Sequence, residues 1–410
     1  QGFITPSVPF AERWFIFMQY ANPYTPGAGA MPAYLAGRDD IINNASKSLI
    51  ALNKGYPQQS VIYYGLRGVG KTVLLNKIEE SAEEFGILYE HIEIAEKGSF
   101  VRQISNSSKK MIHHMSITES AKEVAKKALG ILKAFNVSWN PEDNTFSAGL
   151  SEPSPYISTG VLTDDLTEMF VSMGRTASKA GMALCFFIDE IQYMKESEME
   201  ALINALHRVN QLRLPIMMFG AGLPKILKIM GEVKSYSERL FKYYQIDRLS
   251  ADDAEAAIIN PAKEFNVVYD SAAIYKIIQL TKGYPYFIQE LCSTVWEYSE
   301  TEIIQLSDVE RVVATFLSQL DESFFKVRYE RCTKTEHDFL FAMVKCGELP
   351  CAISNVAKIL RKKVSTISPL RAQLISKGII HSTGHAEIDF TVPLFDEYLR
   401  RINPELKIDK

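Results

Sequence analysis

One stretch, Gly65-Leu66-Arg67-Gly68-Val69-Gly70-Lys71-Thr72, constrains this chain more than any other. It fits G-x-x-x-x-G-K-[ST], a pattern whose chemistry is the cradling of phosphate. Ser60-Val61-Ile62-Tyr63-Tyr64 before it is short, apolar and β-prone, and Thr72-Val73-Leu74-Leu75-Asn76-Lys77-Ile78 after it reads as a helix. Strand, glycine turn and helix together argue against a chance match. The glycines let backbone N–H groups curl around an anion, and the helix N-terminus adds the positive end of its dipole. The expected contacts are Gly65, Arg67, Gly68, Val69, Gly70, Lys71, Thr72 and Val73, with Lys71 on the outer phosphates and the Thr72 hydroxyl on Mg²⁺.

A phosphate loop needs a second half. Ala183-Leu184-Cys185-Phe186-Phe187-Ile188-Asp189-Glu190 supplies it: an apolar run ending in two acids. A central parallel strand is buried on both faces and so reads as continuously hydrophobic. Its C-terminal end is where an α/β sheet places chemistry. Asp189 is expected at the metal, polarising a bound water, and Glu190 is expected to take a proton from the attacking water. Each acid alone could be a solvated strand end; the pairing with the phosphate loop favours a site. Leu214–Gly222 is a further buried strand, ending in Gly220-Ala221-Gly222. Arg239, in Tyr236-Ser237-Glu238-Arg239-Leu240-Phe241, is placed like an arginine finger that acts on a neighbouring subunit's phosphate or like a nucleotide-state sensor, with a surface ion pair with Glu238 or a neighbour as the plain alternative.

Composition sets limits on function. The net charge of −4 over 410 residues makes the whole molecule no general binder of nucleic acid, so any such contact must be a local patch. The five cysteines show no C-x-x-C or Cys/His metal spacing, which argues against zinc and for a reducing compartment. Apolar runs stay short of a membrane span, and Ala11–Tyr20 carries Glu12 and Arg13 with no basic region before it. No membrane partner is expected, and a cytoplasmic location is.

Texture divides the chain further. Residues 1–35 are Pro-, Gly- and aromatic-rich and read as an arm packing on the domain that follows. Residues 36–249 read as an α/β core, with helices at 98–114 and 117–134. A hairpin insertion is expected near 137–150, where Val137-Ser138-Trp139 and Thr145-Phe146-Ser147 flank turn residues. Leu162–Ala180 is an expected helix with Thr163 as its cap. From 250 to 325 the apolar spacing is helical throughout, at 251–265, 271–282, 286–298 and 307–320. Gly283-Tyr284-Pro285 breaks two of these helices as a turn would.

From 326 to 410 three helices, at 335–345, 354–360 and 365–377 with Ser365 as a cap, precede strand, turn and strand over 378–390. That order predicts a winged helix-turn-helix. Thr366, Ser368, Arg371 and Gln373 on the third helix would read a major groove, with Arg361, Lys362 and Lys363 on phosphates. The wing tip, His381 to His385, would reach the adjacent groove. Glu387 and Asp389 in the wing fit a protein partner instead.

Ala36-Gly37-Arg38, Gly65–Thr72, Ile188-Asp189-Glu190-Ile191-Gln192, Gly222-Leu223-Pro224, Glu238-Arg239-Leu240-Phe241 and Gly283-Tyr284-Pro285 occur in this order. So arranged, the chain resembles prokaryotic AAA+ ATPases related to the origin-recognition and archaeal initiator proteins, and also STAND signalling ATPases. The resemblance implies an AAA+ P-loop sheet sandwiched by helices, an all-α lid closing over ATP, and a C-terminal winged helix on DNA. It implies that Gly37 and Arg38 lie against adenine and that Tyr284 and Pro285 touch the base. It also implies a polar sensor residue where Gly220 and Ala221 stand, and a Gly-x-x-Arg sensor that the lid lacks. Both departures point to slow turnover. ATP is preferred to GTP because no Asn-Lys-x-Asp follows the loop. The expectation is therefore an ATP-binding, slowly hydrolysing switch with ADP, Mg²⁺, duplex DNA and a second copy of the chain as partners. The alternative is a STAND-type signalling or defence switch whose winged helix docks a protein. A third reading, an accessory factor for transposition or helicase loading, has no feature selecting it.

Overall fold

Short apolar runs between helical segments become a parallel sheet, because each helix returns the chain to start a strand in the same direction. The computed structural model describes residues 21–96, 98–139, 156–233, 237–384 and 386–406. The chain divides into two compact units. One comprises Arg38–Gly65 and Lys71–Ile246; the other takes in Asp247 onward, the arm up to Gly37, and Leu66–Gly70.

In the first unit, strands β1 (Ser60–Tyr64), β2 (Leu88–Glu93), β3 (Leu184–Asp189), β4 (Ile216–Gly222) and β5 (Phe241–Gln245) form a sheet in the order β2-β3-β4-β1-β5. Neighbouring strands run parallel, with Ile188 opposite Gly220, Tyr63 opposite Ala221 and Glu93 opposite Asp189. Successive side chains point to opposite faces. Ile62, Phe186, Ile188 and Met218 join one core with the helices Phe100–Met115, Lys122–Trp139, Leu162–Ala180 and Glu196–Gln211. Tyr63, Phe219 and Phe187 stack on each other from the alternate positions. β3 is buried along its whole length, which is why it reads as uninterrupted hydrophobicity.

Several local expectations are corrected here. Val137-Ser138-Trp139 is not a strand but the last turn of the helix Lys122–Trp139; residues 140–150 lie outside the described residues. Helical spacing simply continues into those three residues, and β-propensity yields to the helix already running. Thr163 does not cap Leu162–Ala180. Val161 holds the cap position, and the buried Asp165 carboxylate gathers the preceding loop instead, accepting from Thr159 N at 2.8 Å, Thr159 Oγ1 at 2.9 Å, Trp139 Nε1 at 2.9 Å and Ser158 Oγ.

In the second unit the helices Ala251–Lys263, Ser271–Thr281, Pro285–Tyr298 and Leu306–Leu320 are joined by a parallel strand pair, β6 (Val268–Tyr269) with β7 (Ile303–Ile304). The 250–325 segment is thus not purely α-helical; each strand of the pair is two residues long and leaves no periodicity to read. The described part of the arm, from residue 21, packs on these helices. Tyr24 is buried edge-on against Trp296 and Tyr269, its hydroxyl donating to Ile258 O, while Asn22 Nδ2 donates to Ser293 Oγ at 2.8 Å.

Packing runs unbroken from these helices into the C-terminal segment. A π-helical turn, Asp321–Phe325, carries Phe325 onto Tyr398 and Phe395, and Arg401 forks onto both Asp321 oxygens. The helices Lys334–Lys345, Ile353–Ile359 and Val364–Ser376 share this segment with an antiparallel sheet, in which β8 (Cys351–Ala352) comes between the first two helices and β9 (Ile380–Gly384) and β10 (Glu387–Phe390) come after the third, ordered β8-β10-β9. Lys363, not Ser365, stands at the cap position of the third helix. Among the described residues no helix is long and apolar enough to cross a membrane.

Candidate functional site

β1 delivers the chain to Gly65, and the helix Lys71–Glu84 takes it away. Between them Gly68 (φ 81°) and Gly70 (φ 88°) occupy the left-handed region, where a Cβ is strained and glycine is not. These turns let the loop wrap an anion. Gly65 N–H donates to Gly222 O at 3.1 Å, fixing the loop's first residue to the end of β4.

Lys71 sits at the helix start with 8% of its surface exposed, and its ammonium donates to Gly65 O at 3.1 Å. An ammonium this buried is held across its own loop, placed to exchange part of that cage for phosphate oxygens. The next residue makes the decisive contact: Thr72 Oγ1 donates to Asp189 Oδ2 at 2.6 Å. Two elements separated by more than a hundred residues thereby meet at one point. Asp189 is 3% exposed, and its second oxygen accepts Glu190 N–H at 2.7 Å. A hydroxyl and a carboxylate converging beside a phosphate loop are hard oxygen donors of the kind Mg²⁺ takes. The residues fit that ion.

Glu190 itself is in the left-handed region (φ 52°) at the sharp end of β3, half-buried. Gln192 Nε2 donates to its Oε2. The sequence places Gln192 at the end of the motif Ile188–Gln192 and assigns it no role of its own. At the end of β4, Gly220, Ala221 and Gly222 are buried and offer no side-chain polar group.

His91 on β2 and Glu79 on the helix Lys71–Glu84, also not singled out by sequence reading, pair with each other. The Glu79 hydrogen bond pushes the imidazole pKa up, burial opposes it, and the charges of Glu79, Asp189 and Glu93 add to the rise.

Other expected residues fall elsewhere. Arg239 is exposed just before β5, where its carbonyl accepts from Gln59 Nε2. Since β5 pairs with β1 from Ser60 opposite Phe241, Arg239 lies at the end of the sheet away from the phosphate loop, about 16 Å along a five-residue strand. The structure does not bring it to this chain's own loop. Arg38 is buried and opens the helix Asp39–Asn53, its carbonyl accepting from Ile42 N–H. Gly37 (φ 66°) is in the other unit, where an added Cβ would lie 2.7 Å from the Asp253 carboxylate. Tyr284 caps the helix that starts at Pro285, and Gly283 O accepts Leu249 N–H at 2.9 Å. Gly283 is required there by contact as well as by φ, because an added Cβ would meet Leu249 O at 2.9 Å.

In the C-terminal segment Arg361, Lys362 and Lys363 are exposed on the turn between two helices, with Arg361 in the left-handed region. Thr366, Ser368 and Gln373 are exposed along the helix Val364–Ser376, which buries only Ile367 and Leu374. Arg371 is half-buried, and its guanidinium donates to Ser382 Oγ on β9 at 2.7 Å. His381 is on β9, its pKa pushed down by burial, while residue 385 lies outside the described residues.

Comparison with known proteins agrees with this geometry at the level of fold. Residues 54–230 match the family described as AAA domain, and residues 322–399 match one described as Domain of unknown function (DUF8462). No curated protein matches the chain. Among solved structures, the Walker-type ATPase PABY2304 of Pyrococcus abyssi is 13% identical over 90% of this chain and 97% of its own, with a TM-score of 0.54. The Aeropyrum pernix ORC1 protein in complex with DNA is 16% identical over 91% and 94%, with a TM-score of 0.44. The Thermotoga maritima RuvB Holliday junction branch migration motor is 15% identical over 89% and 95%, with a TM-score of 0.42. The parallel sheet with flanking helices is the P-loop NTPase fold of the AAA+ type.

Proposed function

We propose that the chain is an ATP-binding, slowly hydrolysing AAA+ switch that couples its nucleotide state to duplex DNA through a C-terminal winged helix. The observation that carries the nucleotide half is the Thr72–Asp189 hydrogen bond beside the Lys71 cage and the two left-handed glycines. Loop N–H groups and the Lys71 ammonium hold the phosphates and take up negative charge as the bond from the γ-phosphorus to its bridging oxygen breaks. Thr72 and Asp189 would hold Mg²⁺, which would supply positive charge to offset that of the phosphates. Glu190 orients the attacking water and accepts its proton. The apolar end of β4 supports slow turnover, because no side chain of Gly220, Ala221 or Gly222 offers a donor for the departing phosphate. Arg239, exposed and remote from this chain's own loop, supports a role on a second copy's phosphate.

The DNA half rests on the exposed basic turn Arg361-Lys362-Lys363 leading into a helix whose Thr366, Ser368 and Gln373 face solvent. The test is binding of random-sequence duplex across a salt series, with and without ATP. Neutralising three phosphates gives a log–log salt slope of about −3, and reversing the charge of all three residues should remove that slope. Unchanged affinity in the reversed variant sinks the DNA half. It would favour the second reading, a signalling switch that docks a protein, for which the exposed Glu387 on the same hairpin is the supporting observation.

A further inference from the structure

The apolar end of β4 poses a question the nucleotide site does not answer: why the strand finishes on glycine. At Gly222 an added Cβ would lie 2.7 Å from Gln192 Oε1 and 3.0 Å from Ile191 Cγ2. The space a β4 side chain would use is already filled, and it is filled by a polar group from the β3 side. Gln192 is 4% exposed, on the short 3-10 turn Ile191–Tyr193 that Tyr193 N–H closes onto Glu190 O at 3.0 Å.

The amide orientation follows from its partners. Leu223 N–H can only donate, and it donates to Gln192 Oε1 at 2.9 Å. The other end of the amide is therefore the NH₂ group, and it donates to Glu190 Oε2. A continuous chain results. Gly65 N–H, at the root of the phosphate loop, donates to Gly222 O; Leu223, the residue just after β4, holds Gln192; Gln192 holds Glu190. A buried polar side chain with both ends engaged has one orientation, and anchoring one carboxylate oxygen removes the freedom of the Glu190 terminal torsion.

We propose that Gln192 is a positioning residue for hydrolysis: its amide stands where a polar side chain at the end of β4 would stand and sets the Glu190 carboxylate relative to the phosphate loop. This rests on the reading of Glu190 as the base. A misplaced base costs rate far more than it costs nucleotide affinity, up to about a hundredfold for a displacement of ~1 Å.

The experiment compares Gln192→Met, Glu190→Gln and the double variant in the full chain, measuring turnover at saturating Mg·ATP and nucleotide Kd by calorimetry. Gln192→Met should lower kcat about tenfold or more with Kd within about twofold of wild type, and should change the residual rate of Glu190→Gln by less than about twofold. Gly222→Ala, which pushes the amide aside without deleting it, should give the same kcat-selective loss and serves if Gln192→Met fails to fold. If Glu190→Gln is slow while Gln192→Met and Gly222→Ala turn over like wild type, the proposal is overturned and the ATPase reading stands. Equal slowing by Gln192→Met in both backgrounds makes it merely structural and also overturns the proposal. If the wild-type chain does not hydrolyse ATP, or Glu190→Gln is as fast as wild type, the reading of Glu190 falls and takes the proposal with it.

Discussion

Replacing Thr72 with valine keeps the side chain's shape and removes one hydroxyl. In the folded chain that hydroxyl donates at 2.6 Å to Asp189, a carboxylate 3% exposed whose other oxygen is already engaged by Glu190 N–H. The variant strands one buried anionic oxygen. A hydrogen bond to a charged group contributes about 1.5–3 kcal/mol, so the expected loss is ~2 kcal/mol even with no nucleotide present. For a unit of roughly 150–250 residues this lowers Tm by about 4–8 °C. The loss should be specific in a second way: calorimetric ATP affinity with excess Mg²⁺ should fall about tenfold or more, towards the value measured in a chelator, because the hydroxyl is also the expected metal contact. Both arms come from one atom. A variant that melts with the wild type and keeps its Mg²⁺-dependent gain in affinity would refute the placement of Thr72 against Asp189 and the metal site with it.

Lys71→Ala should abolish measurable ATP binding, since the ammonium caged at Gly65 O is the loop's own cation; wild-type affinity in calorimetry would remove the loop from the nucleotide site. Asp165→Ala should destabilise the apo chain by about 2–3 kcal/mol in urea titration, because four donors lose one carboxylate. Burial alone would raise that carboxyl's pKa; the bonds from Ser158, Trp139 and Thr159 outweigh it and lower the pKa below 3.8. Its contribution is therefore present above the unfolded value and lost as pH falls through the folded one, so the gap between wild type and variant should shrink only in strong acid. His91 behaves oppositely. Its folded pKa is raised above 6.5, chiefly by Glu79, so the pair stabilises fully below the unfolded value and fades as pH rises through the folded one. The stability difference between wild type and His91→Gln should be larger at pH 5.5 than at pH 9, and a flat difference would discount the pair.

What was legible from residues alone was whatever local chemistry dictates strongly. Glycines at Gly68 and Gly70 take positive φ, and the apolar run Leu184–Ile188 of β3 marks a strand covered on both faces; each is written in adjacent residues. Val137–Trp139 was misread because three β-prone residues carry less weight than a helix already in progress. The Val268–Ile303 strand pair was invisible because two residues hold no period. Tyr24 could be seen as aromatic but not as destined for Trp296 and Ile258, more than two hundred residues away.

The order of motifs thus determined that a phosphate loop and an acidic strand end belong to one site, because each is a backbone requirement written in adjacent residues. Only the tertiary structure decided how the site is wired. It set Thr72 on Asp189, put Arg239 at the far end of the sheet, and filled the space beside Gly222 with Gln192. Such contacts depend on strand order and register, which place residues from different strands side by side, and a linear pattern holds no record of which strand becomes whose neighbour.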